Sequence, residues 1–140
     1  MHAVLDIESP EFNNNGLIPE KYTRISPGLI VKKIPDNARS LALIMENTGS
    51  PDGNFVHWLV WNIPPKPVIT ENSAPGAQGL NGKGQNAYLG PHINPGAYYL
   101  FRFFALDDVL HLPENTAREG LIIAIQKHLI ASGLLVGRFE

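Results

Sequence analysis

The sequence predicts a mainly β fold with one helix near its C-terminal end. Its 12 prolines and 13 glycines are distributed along 140 residues, which indicates frequent turns between short strands. Three apolar or aromatic segments have the length of strands, and they span residues 40–45, 56–63 and 98–106. Only one later segment has the period of a helix. At this length the chain is predicted to form a single domain, residues 1–140, with a core of its own.

The three strand segments are predicted to form a central sheet. Residues 40–45 are almost continuously apolar, which is typical of a strand buried on both faces. Residues 50–54 combine a proline that presets φ with an Asp-Gly pair that tolerates a tight reversal, so the first two strands are predicted to pair as an antiparallel hairpin. Residues 65–86 lack clear periodicity, and a loop of this length indicates a role in binding or assembly. This loop is therefore a candidate lid or edge of a pocket.

One helix is predicted after the third strand. Thr116 and Glu119 have the spacing of a capping box, so the helix is expected to begin near Ala117. Gly133 is a natural stop signal. Apolar residues at spacings of three and four form the stripe that the helix would bury, namely Ile122, Ile125 and Leu129. Residues 134–139 are predicted to form a closing strand, which places the end of the chain in the core.

Composition and charge exclude several classes of function. With 11 Lys and Arg against 13 Asp and Glu, the formal charge is −2 and no basic block occurs, which argues against nucleic-acid binding. The absence of cysteine excludes disulfides and thiol catalysis. No stretch reaches the roughly 18 apolar residues of a membrane span, and no signal-peptide pattern opens the chain. A soluble, cytoplasmic protein without a transmembrane segment is expected.

Two segments predict a ligand pocket. Residues 55–64 form an aromatic-rich strand with His57 in its middle, and residues 88–96 contain glycines and prolines that can hold bare backbone close to that histidine. A histidine in an apolar strand is more often a hydrogen-bonded core residue than a functional group, so both roles are open on spacing alone. Phe55 lies two residues before His57 and shares its face of the strand, which makes Phe55 the candidate wall of the pocket.

Several short segments occur together in an order and at spacings that are typical of one known family. They comprise residues 9–12, 18–23, 40–45, 57–64, 90–91, 104–107, 124–128 and 135–137. Through them the chain resembles the phosphatidylethanolamine-binding protein family, which includes the Raf kinase inhibitor protein and small bacterial relatives. Agreement in both order and spacing is more specific than any one segment. The resemblance implies an antiparallel Greek-key β-sandwich with peripheral helices.

The resemblance also implies a pocket for phosphate-like and other small anions. His57 matches the first pocket histidine of the family, and Gly90 and Pro91 match its Gly-Pro loop. Tyr99 matches the pocket tyrosine that follows a second histidine. Together with Phe55, these residues form the predicted ligand-binding set.

Other pocket positions depart from the family pattern. The two aspartates of an Asp-Pro-Asp triplet fall on Asn47 and Gly49, and Ala97 stands where the second histidine is expected. Asn47 stays in the predicted ligand-binding set through its position. His92 could turn an imidazole into the space left by Ala97, or it could be an exposed loop side chain. Asp52 could supply a carboxylate, or it could serve only to form the hairpin turn.

Catalysis, metal binding and a cofactor are not expected. The chain has no Gly-x-Ser-x-Gly elbow and no phosphate loop with the required spacing. With both family carboxylates replaced, general acid–base chemistry would depend on one or two histidines. No group of His, Asp and Glu shows the spacing of metal ligands.

Two functions from different classes follow from these residues. The leading hypothesis is a non-enzymatic protein that binds a small anionic or polar ligand, phosphate-like or headgroup-like, in a pocket around His57. The alternative is a degenerate pocket in a protein that inhibits or regulates a protein partner, as kinase-inhibitor and protease-inhibitor members of the family imply. The bacterial relatives also imply a homodimer. Compensating side chains around His57 would favour the first function, and a filled cavity would favour the second.

Overall fold

The chain folds into two β-sheets and one α-helix in a computed structural model that describes residues 3–50, 53–91 and 97–139. A short 3-10 helix spans Glu20–Thr23, and the α-helix, α1, spans Arg118–Gln126. The strands are β1 Ala3–Val4, β2 Asp6–Glu8, β3 Gly16–Leu17, β4 Leu29–Lys32, β5 Ser40–Ser50, β6 Gly53–Ile63, β7 Val68–Ile69, β8 Ala77–Gln78, β9 Ala97–Leu106 and β10 Leu129–Phe139.

The three strands predicted from the sequence lie at the centre of the larger sheet. This seven-stranded sheet has the order β1-β10-β9-β5-β6-β8, and β3 also pairs with β10. The predicted antiparallel pairing of β5 with β6 is confirmed, and β9 lies antiparallel on the other side of β5. The second sheet has three strands in the order β2-β4-β7. Segment 65–86 is therefore not all loop, because β7 and β8 each join a sheet edge.

The larger core cluster fills the space between the two sheets. Val31 and Ile69 of the three-stranded sheet pack in one cluster with Leu43, Trp58 and Phe103 of the seven-stranded sheet. All five side chains are buried. This is the arrangement of a β-sandwich, in which the inner faces of two sheets interdigitate.

A smaller core cluster lies on the opposite face of the seven-stranded sheet. There Leu121 and Ile125 of α1 pack with Ile44, Leu59 and Trp61. Because successive residues of β5 enter different cores, the strand is buried on both faces, as its continuous apolar run predicts. The predicted mainly β sandwich with a helix near the C-terminus is confirmed.

The predicted capping box at the start of α1 does not form. Ala117 is the N-cap residue, with extended backbone at φ −101° and ψ −178°, and its side chain makes no capping hydrogen bond. The Thr116 hydroxyl instead donates to the carbonyl of Pro113 at 2.7 Å. The prediction was wrong because Thr116 lies one residue before the N-cap and closes the preceding turn.

The predicted end of α1 was also wrong. The helix ends at Gln126, Leu129 opens β10, and Gly133 lies inside that strand. Pairing with β9 along nearly the whole of β10 outweighs the local helical pattern. Gly133 serves close packing, since a Cβ there would lie 2.5 Å from the carbonyl oxygen of Leu5. No helix in the described ranges is both long and apolar enough to span a membrane.

Candidate functional site

His57 lies at a β-bulge in β6. Met45 pairs with Trp58 and Glu46 pairs with Val56, so β6 carries one additional residue between these pairs. A bulge of this kind changes the direction in which a side chain projects, and bulges are frequent beside functional sites. The His57 side chain is buried, with 2% of the residue exposed.

Two aromatic rings enclose the imidazole of His57. The ring of Phe55 and the ring of Tyr99 each lie 5.1 Å from it, centroid to centroid, in edge-on geometry. The predicted proximity of Phe55, His57 and Tyr99 therefore holds in the structure. Edge-on contacts of this type fix the plane of the imidazole as well as its position.

The backbone of Leu89 fixes the tautomer of His57. The Nδ1 atom lies 2.8 Å from the carbonyl oxygen of Leu89, and the amide of Leu89 donates to the carbonyl of His57 at 3.0 Å. A carbonyl oxygen can only accept, so Nδ1 carries a hydrogen. The nitrogen that gains or loses a proton is therefore Nε2. Nε2 is an acceptor in the neutral ring and a donor in the cationic ring.

Tyr88 anchors the loop that carries Leu89. The Tyr88 hydroxyl donates to the carbonyl of Tyr22 at 2.8 Å, and the Tyr88 ring lies edge-on to Trp58 at 5.1 Å. Burial raises the pKa of Tyr88, so its phenol stays protonated and remains a donor at physiological pH. Gly90 follows in close contact with Thr23, where a Cβ would come within 2.4 Å of the backbone oxygen. The buried Pro91 completes the described part of the loop.

Segment 65–86 reaches the site at Phe55. A Cβ at Gly82 would lie 2.4 Å from the Phe55 ring, so the backbone there passes directly against that ring. The buried Asn81 shapes this turn, because its Oδ1 accepts hydrogen bonds from the amides of Lys83 and Gln85 at 2.9 and 3.1 Å. The packing of this turn places the backbone of segment 65–86 against the Phe55 side chain.

The remaining predicted residues fall around the same strand ends. Asn47 is buried and lies in register with Phe55 on one side and Tyr99 on the other. Ala97 is buried in the larger core cluster at the start of β9, so this position contributes packing where the family pattern has a histidine. His92 and Asp52, the two candidates for compensation, lie outside the described residues.

Comparison with known proteins agrees with this arrangement. A sequence model of the phosphatidylethanolamine-binding protein family matches residues 8–140. The chain belongs to the phosphatidylethanolamine-binding protein family.

Similar proteins occur in archaea and bacteria. A UPF0098 protein of Methanothermobacter thermautotrophicus is 34% identical, over 97% of this chain and 99% of its own length. A UPF0098 protein of Chlamydia pneumoniae is 39% identical, with the same two coverages of 97% and 99%. A crystal structure of a phosphatidylethanolamine-binding protein homologue from Chlamydia trachomatis superposes with a TM-score of 0.92 at 34% identity, covering 98% of this chain and 97% of that one. Escherichia coli YbcL, covered over 99% of both chains, has a TM-score of 0.87 at 18% identity and shares the fold.

Sequence reasoning missed a buried ion cluster in this family member. Glu46 is fully buried, and it accepts hydrogen bonds from Arg102 at 2.7 Å and from Arg118 at 2.9 and 3.2 Å. Burial alone would raise the pKa of Glu46, but the hydrogen bonds from Arg118 and Arg102 together outweigh burial and the pKa is lowered. The signal was present, because Glu46 and Arg102 are single charges inside otherwise apolar strands.

A second ionic cluster borders the 3-10 helix. Lys21 bridges Glu11 at 2.5 Å and Glu71 at 3.0 Å, and the Tyr22 hydroxyl donates to Glu71 at 2.7 Å. Burial, followed by the bond to Glu71, raises the pKa of Tyr22 to about 12. The bonds from Tyr22 and then Lys21 lower the pKa of Glu71. In the described ranges no three His, Asp or Glu side chains are grouped to hold a metal ion.

Proposed function

We propose that this protein binds a small anionic or polar ligand at the ends of β5, β6 and β9, with His57 as the central polar group. The observation that carries the proposal is the hydrogen bond from Nδ1 of His57 to the carbonyl of Leu89 at 2.8 Å. It places the hydrogen of the neutral ring on Nδ1, so a proton taken up by the imidazole is held at Nε2. A cationic imidazole in a buried, aromatic-walled position is a strong donor to an anion.

The surroundings of His57 support a rigid recognition site. Phe55 and Tyr99 hold the ring edge-on, and the Leu89 carbonyl holds its tautomer. A site whose polar group is already oriented loses less entropy on binding. Family membership supports a small anion as the ligand class, and phosphate and acetate are suitable probes.

The proposed function is binding without catalysis. The two family aspartates are replaced by Asn47 and Gly49, and an amide cannot take up a proton as a carboxylate can. General acid–base chemistry at His57 would therefore not have the two carboxylates that the family pattern places there.

The test is an NMR titration of the imidazole of His57 with acetate, phosphate and phosphoethanolamine at about pH 6 and about pH 8. We expect saturable shifts of the His57 ring signals, with tighter binding at the lower pH because the cationic ring favours the anion. Acetate is the clearest probe, since its charge is the same at both pH values.

Two variants make the test specific. His57→Gln should lose acetate binding, whereas His111→Gln, which changes an exposed histidine, should bind as the unmodified protein does. Equal acetate binding by the two variants, or no response of His57 to any of the three compounds, would refute the proposal.

The second candidate function is regulation of a protein partner by a family member whose pocket is closed. Its support is the burial of the relevant side chains, since His57, Asn47 and Ala97 are 2%, 3% and 6% exposed. The same titration separates the candidates. Absence of any ligand response in a folded protein favours the regulatory function.

A further inference from the structure

The face of the seven-stranded sheet that carries the smaller core is only partly covered. Leu121 and Ile125 of α1 pack over Ile44 and Leu59, which belong to β5 and β6. The neighbouring strands β9 and β10 carry a further set of residues on this face, beyond the helix. We refer to the apolar members of that set as the uncovered patch: Leu17, Tyr98, Leu100, Leu134 and Val136.

Strand alternation places these residues on one face. Tyr99 and Phe101 of β9 and Leu135 of β10 point into the larger core, so the residues between them point the other way. The register then brings them side by side, because Val136 pairs with Leu100 and Leu134 with Arg102. Leu17 joins through the pairing of β3 with β10 at Arg138. The patch therefore spans three strands, with Arg138 between Leu17 and Tyr98 in the register.

The exposure of the uncovered patch is unusual for a solvated sheet face. Leu17, Tyr98 and Leu134 are 51%, 47% and 46% exposed, and Leu100 and Val136 are partly buried. The solvent face of an antiparallel sheet is normally polar. Exposed apolar side chains grouped in this way are typical of an interaction site, and protein interfaces are enriched in tyrosine and arginine and depleted in lysine.

Charge indicates the chemistry of the partner. Arg102 and Arg118 border the uncovered patch with side chains 38% and 35% exposed, and both share the carboxylate of Glu46. On the described strands of this face the charged side chains are Arg102, Arg138 and Glu46, so arginine outnumbers carboxylate there. Glu46 is the only carboxylate on the described strand residues of this face. A second copy presenting the same surface would bring like charges together, whereas an acidic partner gains from them.

The dimensions fit one helix. Two paired strands are about 10 Å wide, close to the diameter of an α-helix. The distance along β10 from Leu134 to Arg138 is about 14 Å, the length of roughly nine helical residues. The nine-residue helix α1 already packs against β5 and β6 on the same face.

We propose that the uncovered patch binds an acidic amphipathic helix of a partner protein. The apolar stripe of that helix lies on the five patch residues, and its flanking carboxylates face Arg102 and Arg118. The patch is on the opposite face of the sheet from His57, so this proposal is independent of the ligand site.

The experiment uses a defined probe, a synthetic helical peptide. Its leucines are spaced alternately three and four residues apart to form one apolar stripe, and glutamates line both sides of that stripe. A matched peptide carries lysine in place of glutamate. In methyl NMR spectra of the full chain, we expect saturable shifts at Leu100, Leu134 and Val136 with the glutamate peptide. We expect binding about tenfold weaker with the lysine peptide, and weaker binding of the glutamate peptide at higher salt.

Matched variants localise the effect. Leu134→Glu should abolish binding of the glutamate peptide, and Val68→Glu, at an exposed apolar residue of β7 in the other sheet, should leave binding unchanged. No shift at the patch, or equal binding of the two peptides, overturns the proposal. Sedimentation showing self-association that Leu134→Glu removes and Val68→Glu retains also overturns it, because a second copy of the chain would then be the occupant.

Discussion

At the scale of single residues, Glu46 links stability to pH. Its folded-state pKa is lowered by Arg118 and Arg102 against the opposing effect of burial. A carboxyl group whose pKa is lowered on folding stabilises the protein above its unfolded pKa of about 4.3, and this stabilisation is lost as the pH falls through the lower folded value. We expect Glu46→Gln to lower the free energy of unfolding by about 2–3 kcal/mol at neutral pH. Urea unfolding at a series of pH values measures both the loss of stability in the variant at neutral pH and the loss of stability of the unmodified protein in acid.

The control for Glu46 is an exposed carboxylate. Glu20→Gln should leave both the stability at neutral pH and its dependence on acid nearly unchanged, because Glu20 is exposed. Glu46→Gln should flatten the acid dependence of the free energy of unfolding. If Glu46→Gln and the unmodified protein lose stability in parallel below about pH 5, Glu46 is not the group responsible.

The hydroxyl of Tyr88 is expected to stabilise the loop beside His57. Tyr88→Phe removes the hydrogen bond to the Tyr22 carbonyl and keeps the ring against Trp58, so it should cost about 1 kcal/mol of stability. Amide exchange at Leu89 should become faster, because that amide donates to His57 from the same loop. Tyr98→Phe is the matched control at an exposed tyrosine. An unchanged exchange rate at Leu89 in Tyr88→Phe would contradict this role.

At the residue scale the sequence indicated that Phe55 lies beside His57, as it does, and the role of both residues in binding stays a prediction. His57 could be singled out because it interrupts an aromatic strand, and Phe55 because strand periodicity is simple. The bond from His57 to Leu89 could not be predicted, since it joins residues 32 positions apart through a backbone atom that has no sequence signature. The ion pair of Glu46 with Arg118 could not be predicted either, because the two residues are 72 positions apart in the sequence.

At the scale of elements, α1 begins with a residue that cannot cap it. Ala117 has the extended backbone of an N-cap, and its carbonyl accepts the first helical bond from Leu121 at 3.1 Å. A threonine there could accept from an amide of the first turn, while valine has the same shape and no acceptor. We expect Ala117→Thr to be more stable than Ala117→Val by about 1 kcal/mol. Thermal unfolding measures the difference, and equal stability of the two variants would show that the turn does not admit a side-chain cap.

Element boundaries show why local patterns were insufficient. The Thr116 and Glu119 spacing gave the start of α1 to within two residues, yet the chain uses the Thr116 hydroxyl in a turn. Leu129 continues the helical stripe in sequence, but it pairs with β9 and is therefore the first residue of β10. A β-bulge cannot be predicted from a local sequence pattern either, because it depends on the partner strand. The extra residue at His57 exists only relative to the register of β5.

At the scale of the whole molecule, the sheet order joins both ends of the described chain. β10 pairs with β1 and β3 near the N-terminus and with β9 near the C-terminus, so the last strand is internal to the sheet. The sequence predicted that the closing strand belongs to the core because residues 134–139 are mostly apolar. It could not supply the pairing of β10 with β1 and β3, which joins residues more than 100 positions apart.

Two cores share the seven-stranded sheet as a common wall, and one cooperative unfolding transition is therefore expected. Each core contains one of the two tryptophans, Trp58 in the larger and Trp61 in the smaller. Trp61→Phe and Trp58→Phe thus leave a fluorescent reporter in one core at a time. Within each variant, the fluorescence transition in urea should coincide with loss of sheet circular dichroism.

Core truncations on either side of the sheet test the same cooperativity. Leu29→Ala in the larger core and Leu121→Ala in the smaller core should each lower the free energy of unfolding by about 2–5 kcal/mol. The two cores share one sheet, which is expected to unfold as a unit. Each truncation should therefore lower the urea midpoint reported by the tryptophan of the opposite core as much as the midpoint reported by the tryptophan of its own core. A truncation that shifts only the tryptophan on its own side would show that the helix layer and the sandwich unfold as separate units.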